Sequence, residues 1–292
     1  MNDLAQFVAS GLTRGSIYAL VGMGLAIVFN ASNLINFAQG EFVMLGGMLV
    51  AFLVTTTKLL PSWAAVPIAV LAAGMLGAAL YALAIRPAGR AGLATLIIIT
   101  LGASILIRGV VQLVLGKGDF MTPPFSGDAP IQLLGASIST QSLWVFGALA
   151  VTALALKWFF DVSVFGRAMR ATAQSPLAAS LVGIDVQRVL LASFALAAAL
   201  GALAGALVTP ISLTRYDLGI TLGLKGFAAG MLGGLNNPFG ALGGGLLLGL
   251  AEGLAGGYVS SGYQDAVAFI VILAVLCTKP EGLFGRAVAE RV

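Results

Sequence analysis

Histidine is absent from all 292 residues, and the only cysteine is Cys277. The first absence removes His-ligated metal centres and the Ser–His and Cys–His pairs of nucleophilic catalysis. The second removes internal disulfides and thiolate clusters. Charge is scarce as well. Asp, Glu, Lys and Arg together make up 9% of the chain, against about 25% in soluble domains. No phosphate loop of the Gly-x-x-x-x-Gly-Lys-Ser/Thr type occurs, so the chain does not bind ATP by that route. What fills the sequence is apolar, 59% of it, more than one soluble core of this size can hide. Much of that surface must face lipid. The 39 glycines are spread through the apolar runs rather than confined to loops, as in closely packed membrane helices.

A membrane-spanning helix needs about 20 apolar residues. Apolar runs of that order lie at 15–30, 40–57, 62–85, 93–115, 141–160, 190–213, 219–235, 238–256 and 263–278. The expected fold is therefore all-α, a polytopic transmembrane bundle of eight or nine spans, forming one domain over 1–292. The weakest run, 219–235, is short and carries Lys225, so it reads as a half-span or re-entrant segment if it does not cross. Continuous runs of this length exclude a β-barrel, whose strands alternate. Asn2 and Asp3 stand where a cleaved signal carries basic residues, so the N-terminal segment is expected to be retained. Leu4, Phe7, Val8, Gly11 and Leu12 share one helical face. Two readings fit them equally: a short amphipathic helix at the interface, or an extension of the first span.

Basic residues set the orientation. One set of loops holds Arg86, Arg90, Lys157, Arg167, Arg170, Arg188, Lys279, Arg286 and Arg291, the other only Lys58, Lys117 and Arg215. The bias places 86–92, 161–189 and the C-terminus in the cytoplasm and, with nine spans, the N-terminus outside. It also accounts for the net charge of +4 without nucleic acid. Residues 116–140, with Pro123, Pro124 and Pro130, read as an extended outer cap. The inner loop, 161–189, is rich in helix formers and too polar to span. Ser175 is placed to cap a helix beginning at Pro176, which makes the loop a docking element or an ordered connector.

Gly245, Gly249, Gly253 and Gly257 recur every four residues and form a ridge for close helix packing. The pairs Gly201/Gly205 and Gly226/Gly230 repeat the spacing. Polar residues near the membrane are expensive unless paired or wetted. Asn33, Asn36, Gln39 and Glu41 interrupt the helices between the first two runs, and Asn236 interrupts the late apolar region. Glu252 sits inside a glycine-rich run, so it should face the bundle interior, a cavity or a partner. These six are candidates for a translocation path, with simple loop capping as the competing reading for the asparagines. Gly116–Asp119 and Tyr216–Asp217 echo intramembrane aspartate proteases, but both lie in loops and in the reverse order, which rejects that reading.

Three segments carry a resemblance: INFAQGEFVMLGG, FGRAMRATAQSPLAASLVGID and SSGYQDAVAFIVILAVLCTKPEGLFG. Together they resemble the permease family of high-affinity branched-chain amino-acid ABC importers, in the H-type branch of its two-permease pair. The likeness covers nearly the whole chain. It implies a permease subunit in a bacterial inner membrane that moves branched-chain or other apolar amino acids and is not itself an enzyme. The implied partners are a second, homologous permease, two cytoplasmic ATPase subunits and a periplasmic substrate-binding protein. No cofactor is bound directly, ATP being held by the partners. The inner loop would be the ATPase-coupling element, through Arg167, Arg170, Ala178, Ala179, Gly183, Ile184 and Asp185. Where the family often has His, this chain has Gln39, which removes a titrating group there. Related permeases serve urea, amides and aromatic acids, and a stand-alone secondary transporter would need a coupling-ion site with Glu252 as its only deep candidate.

Arg14, Arg108 and Lys225 fall near span ends or in the weakest run, and Glu252 has no evident cationic partner in the sequence. A tight zwitterion site built from such parts would leave charges poorly paired in low dielectric. The expectation is a wet, weakly binding path, with selectivity in the external binding protein.

Overall fold

Each apolar run becomes a helix, but the helices differ in length and depth. The computed structural model describes residues 2–89, 91–127, 129–133, 136–279 and 281–285; Arg90, Arg286 and Arg291 lie outside them. In chain order the elements are α1 (Asn2–Ser32), α2 (Gln39–Ala51), α3 (Ser62–Leu80), α4 (Leu93–Val114), β1 (Ile131–Leu133), β2 (Ala136–Ile138), α5 (Thr140–Val162), α6 (Val164–Gln174), α7 (Pro176–Leu181), α8 (Val186–Val208), α9 (Leu218–Gly233), α10 (Pro238–Tyr258) and α11 (Gln264–Thr278). π-Helical turns at Phe52–Thr56 and Tyr81–Ile85 extend α2 and α3. With those extensions α1, α2, α3, α4, α5, α8 and α10 are long and apolar enough to cross a membrane. The apolar helices α9 and α11 are shorter. At 16 residues, α9 is about 24 Å long, less than the roughly 30 Å hydrocarbon core.

The structure decides between the two readings of the N-terminus. Residues 2–32 form one unbroken helix, so the segment extends the first span. The outer cap is not simply extended, because β1 and β2 pair antiparallel as a hairpin. Gln6 on α1 holds that hairpin through two bonds to the Ser137 backbone, 2.8 and 3.1 Å. An isolated bridge joins Phe120 to Thr214, tying the cap to the α8–α9 connection. α8 begins earlier than its apolar run because Asp185 caps it, accepting from the Arg188 N–H. It stops at Val208 rather than 213, two residues before Pro210, which cannot donate to a continuing helix.

The centre of the bundle is a seam between α1 and α10. A Cβ on Gly245 would sit 2.5 Å from the Ala19 backbone, and one on Gly253 2.6 Å from the Phe7 carbonyl. A Cβ on Gly249 would collide with Gly15, and one on Gly257 with the Phe7 ring. Gly11, Gly15 and Ala19 thus form the facing ridge on α1. The same economy recurs elsewhere. Gly46 and Gly205 set α2 against α8, and Gly77 brings α3 to the Phe194 carbonyl of α8. Gly226 admits Val21 of α1 against α9. Around this core α3, α4, α5 and α11 expose Leu71, Met75, Ile105, Leu113, Leu154 and Leu273 on their outer faces.

Replacing Gly249 with Leu is expected to lower stability by about 1–3 kcal/mol through overpacking. Gly102→Leu, where a side chain meets nothing within 4 Å, is the matched control. Thermal unfolding of both variants in detergent is the measurement, and equal melting would place the α10 ridge outside the seam.

Candidate functional site

Among the described residues, two charge clusters lie inside the apolar body. The first is built by the seam. Tyr18 of α1 and Glu252 of α10 come together because the glycines beside them let the backbones touch, and α9 adds Lys225. The Lys225 ammonium lies 3.0 Å from one Glu252 oxygen and 3.2 Å from the other. The Tyr18 hydroxyl donates to Glu252 at 2.8 Å, and Lys225 donates to that hydroxyl at 3.2 Å. Glu252 is completely buried. The expectation that Glu252 lacks a cationic partner is therefore corrected: Lys225, 27 positions earlier, supplies it across two helices. With each charge answered, the cluster ties α9 to the seam. Glu252 lines none of the cavities described below.

The second cluster lies at the break between α1 and α2. Asn33 takes a positive φ of 54°, a conformation Asn tolerates, and the chain turns back into the bundle. Asn36 then caps the turn, accepting from the Ala38 N–H at 3.1 Å. Gln39 donates to the Ala197 carbonyl in mid-α8 at 2.8 Å, so α2 starts inside the bundle. α9 also starts there: a Cβ on Gly40 would collide with the Gly219 carbonyl, so only glycine lets the two helix beginnings meet. Between them and α4 sits a cavity of about 190 Å³. Its polar wall is Asn36, Gln39, Glu41, Ser104 and Arg108.

Arg108 forms an ion pair with Glu41, and Ser104 donates to the same Glu41 oxygen at 2.8 Å. Arg108, in α4, therefore has a fixed acidic partner on α2, although its position in the sequence suggests a span end. Four polar atoms on this wall are buried without a partner: Asn36 Nδ2, Gln39 Oε1, Glu41 Oε2 and Arg108 Nε. The remaining lining is apolar, and the cavity opens sideways where Leu101, Ile220 and Leu224 are exposed.

Of the other path candidates, Asn33 is exposed at the turn. Asn236 lines a separate cavity of about 330 Å³ at the end of the bundle, with Asn30, Asp161 and Arg170. The structure thus gathers Asn36, Gln39 and Glu41 at one site and leaves Asn33, Asn236 and Glu252 apart from it. Arg108 and Ser104 complete that site.

The segment between α5 and α8 folds as two helices at the edge of the bundle, α6 burying Met169 in its core. Ser163 caps α6 and Ser175 caps α7, accepting from the Gly166 and Ala178 N–H groups. Arg170 pairs with Asp161 at 3.0 Å and Arg188 with Asp185 at 2.9 Å, while Arg167 is exposed. Ala178 is exposed and Ala179 buried; Ile184 is half-buried. Gly183 is exposed with nothing within 4 Å of a would-be Cβ, and its φ of 86° is what demands glycine. The sequence reading missed the apolar surface: Leu177, Leu181 and Val182 stand 73%, 80% and 76% exposed. Their signal is three large aliphatics in a segment otherwise too polar to enter lipid.

A polytopic bundle with a polar cavity at a helix break and a helical element at the edge of its spans suits a membrane transport subunit. The comparisons give the class its family. A model for the branched-chain amino acid transport system permease component matches residues 7–276. The high-affinity branched-chain amino acid transport system permease protein LivH of Escherichia coli is 34% identical over 98% of this chain and 97% of its own length. BraD of Pseudomonas aeruginosa, a permease protein of the same description, is 31% identical over 98% and 97%. The probable branched-chain amino acid transport permease protein LivH of Methanocaldococcus jannaschii is 27% identical over 98% and 94%. The chain belongs to this family. It is a multi-pass membrane protein, the permease component of an ABC transport system and not an enzyme, and that class implies ATPase and binding-protein partners.

Lys225→Met should cost about 3–5 kcal/mol, because it strands a buried carboxylate. Adding Glu252→Gln should restore part of that loss. Thermal unfolding of the single and double variants measures the coupling, and strictly additive effects would show that the pair does not hold α9.

Proposed function

We propose that this permease imports branched-chain or other apolar amino acids across a bacterial inner membrane. It works as one half of a heterodimer with a homologous permease, served by two cytoplasmic ATPase subunits and a periplasmic binding protein. The observation that carries the substrate class is the family match over residues 7–276, reinforced by relatives that cover almost the whole chain. ATP binds in the ATPase subunits, and this chain holds no cofactor of its own. The basic bias of the loops puts α6, α7 and the C-terminus in the cytoplasm and the N-terminus outside.

Coupling runs through α6 and α7. Nucleotide closes the ATPase dimer, and α7, seated by Leu177, Leu181 and Val182, passes that movement to α8 through the capped Asp185 turn. The bundle then exchanges access between its two sides, a two-state equilibrium biased by nucleotide and loaded binding protein. A second permease fits the sideways opening of the cavity. The chain encloses the cavity between α2, α4 and α9, and the exposed apolar residues of α4 and α9 at its mouth suit a helical partner. Selectivity rests with the binding protein.

ATP-driven uptake of radiolabelled leucine into proteoliposomes holding the full complex and its binding protein tests this reading. Leucine uptake competed by isoleucine and valine, but not by urea or benzoate, is the expected result; the reverse order would overturn the substrate class. Leu181→Asp should leave the permease inserted but weaken docking by about 2 kcal/mol, roughly thirtyfold in ATPase affinity. Co-purification of ATPase subunits reads that loss. Gly183→Trp is a poorer probe, since it strains a positive-φ turn as well as altering the surface.

A further inference from the structure

We infer that the Glu41–Arg108 cavity is a weak zwitterion site, in which a free α-amino acid inserts between the two charges during passage. The inference rests on the amino-acid import reading and names the place where that solute is held. The unpartnered atoms are of the right kinds. Arg108 Nε and Asn36 Nδ2 are donors, suited to an α-carboxylate, and Glu41 Oε2 and Gln39 Oε1 are acceptors, suited to an α-ammonium. Glu41, Gln39 and Asn36 are each at most 2% exposed, so these groups are held in place rather than free to swing toward solvent. Phe37, Leu101, Leu224 and Phe227 supply apolar wall for an aliphatic side chain.

Binding is an exchange of partners. In the structure the ion pair satisfies one Glu41 oxygen and one terminal Arg108 nitrogen, with Ser104 donating to the same carboxylate. An entering zwitterion offers each charge a substitute, and as the pair parts the orphaned atoms, closed to solvent in the structure, become available to it as well. Because the incoming contacts replace existing ones, the net gain is small and release is easy. The cavity, with space equivalent to about six waters, admits a solute of amino-acid size without opening the α1–α10 seam. A solute with one charge lacks this advantage, since it leaves either Glu41 or Arg108 buried opposite an apolar group.

The test uses the purified permease–ATPase complex without binding protein, carrying Ile35→Cys, a half-buried lining position on the α1–α2 connection, as a reporter in a Cys277→Ser chain. The rate of labelling by a water-soluble methanethiosulfonate is followed with L-leucine, 4-methylpentanoate or 3-methylbutylamine. L-Leucine at about 10 mM should slow labelling roughly tenfold, as for a dissociation constant of about 1 mM. Neither singly charged analogue should do so at that concentration. The double variant Glu41→Gln/Arg108→Gln, which removes both charges together and strands neither, should assemble and lose leucine protection. Equal protection by 4-methylpentanoate, protection surviving in the double variant, or no protection by leucine would each overturn the site. Leucine uptake by the complete wild-type system is measured alongside. Uptake without protection defeats the site and leaves the import reading standing, whereas absence of uptake defeats the import reading itself.

Discussion

Backbone contact between α1 and α10 is the constraint on which the other features depend. Gly245, Gly249 and Gly253 on α10 face Ala19, Gly15 and Gly11 on α1, Gly257 meets the Phe7 ring, and nothing larger fits at Gly249 or Gly245. In lipid no hydrophobic effect drives helices together, so close packing of small residues must supply the cohesion. The contact has an electrostatic consequence. It brings Tyr18 within 2.8 Å of Glu252 and creates a buried carboxylate that only a cation on a third helix can answer. Lys225 answers it, and α9, too short to be fixed by span length alone, is thereby anchored.

The anchoring of α9 in turn makes the polar cavity. Its first turn meets the first turn of α2 at Gly219 and Gly40, inside the bundle, because α1 breaks at Asn33 and the chain re-enters before α2 begins. Broken backbone at membrane depth is tolerated where it is buried in protein or lines a cavity, and here it does both. The two ion pairs therefore do different work. Lys225–Glu252 joins α9 to the seam, Lys225 reaching both Glu252 oxygens. Glu41–Arg108 lies on a cavity wall beside unpartnered donors and acceptors.

Helix positions were legible in the sequence because apolar runs of about 20 residues have few alternatives. The α10 ridge was legible too, since four-residue glycine spacing is a one-helix pattern. Its partner ridge on α1 was not, and neither was the buried stripe Ala65, Ala69, Ala73 and Gly77 on α3, because alanine in an apolar run does not reveal which face it occupies. The α7 cap at Ser175 could be read from residue order; the exposure of Leu177 and Leu181 could not. Charge pairing was the least legible feature. Glu41 and Arg108 are separated by 67 positions, and only the meeting of α2, α4 and α9 brings them together. Glu252 looked solitary for the same reason.

If the seam is the fixed body of the permease, α1 and α10 must stay together while the access state changes. Spin labels at Leu4 on α1 and Leu247 on α10, both exposed, in a Cys277→Ser chain assembled with its partners, test this by pulsed dipolar spectroscopy. Between nucleotide-free and nucleotide-bound states the mean separation should change by less than about 2 Å, the scale of helix shifts within a packed body. A larger separation in either state would show that the seam opens, and would contradict the account built on it.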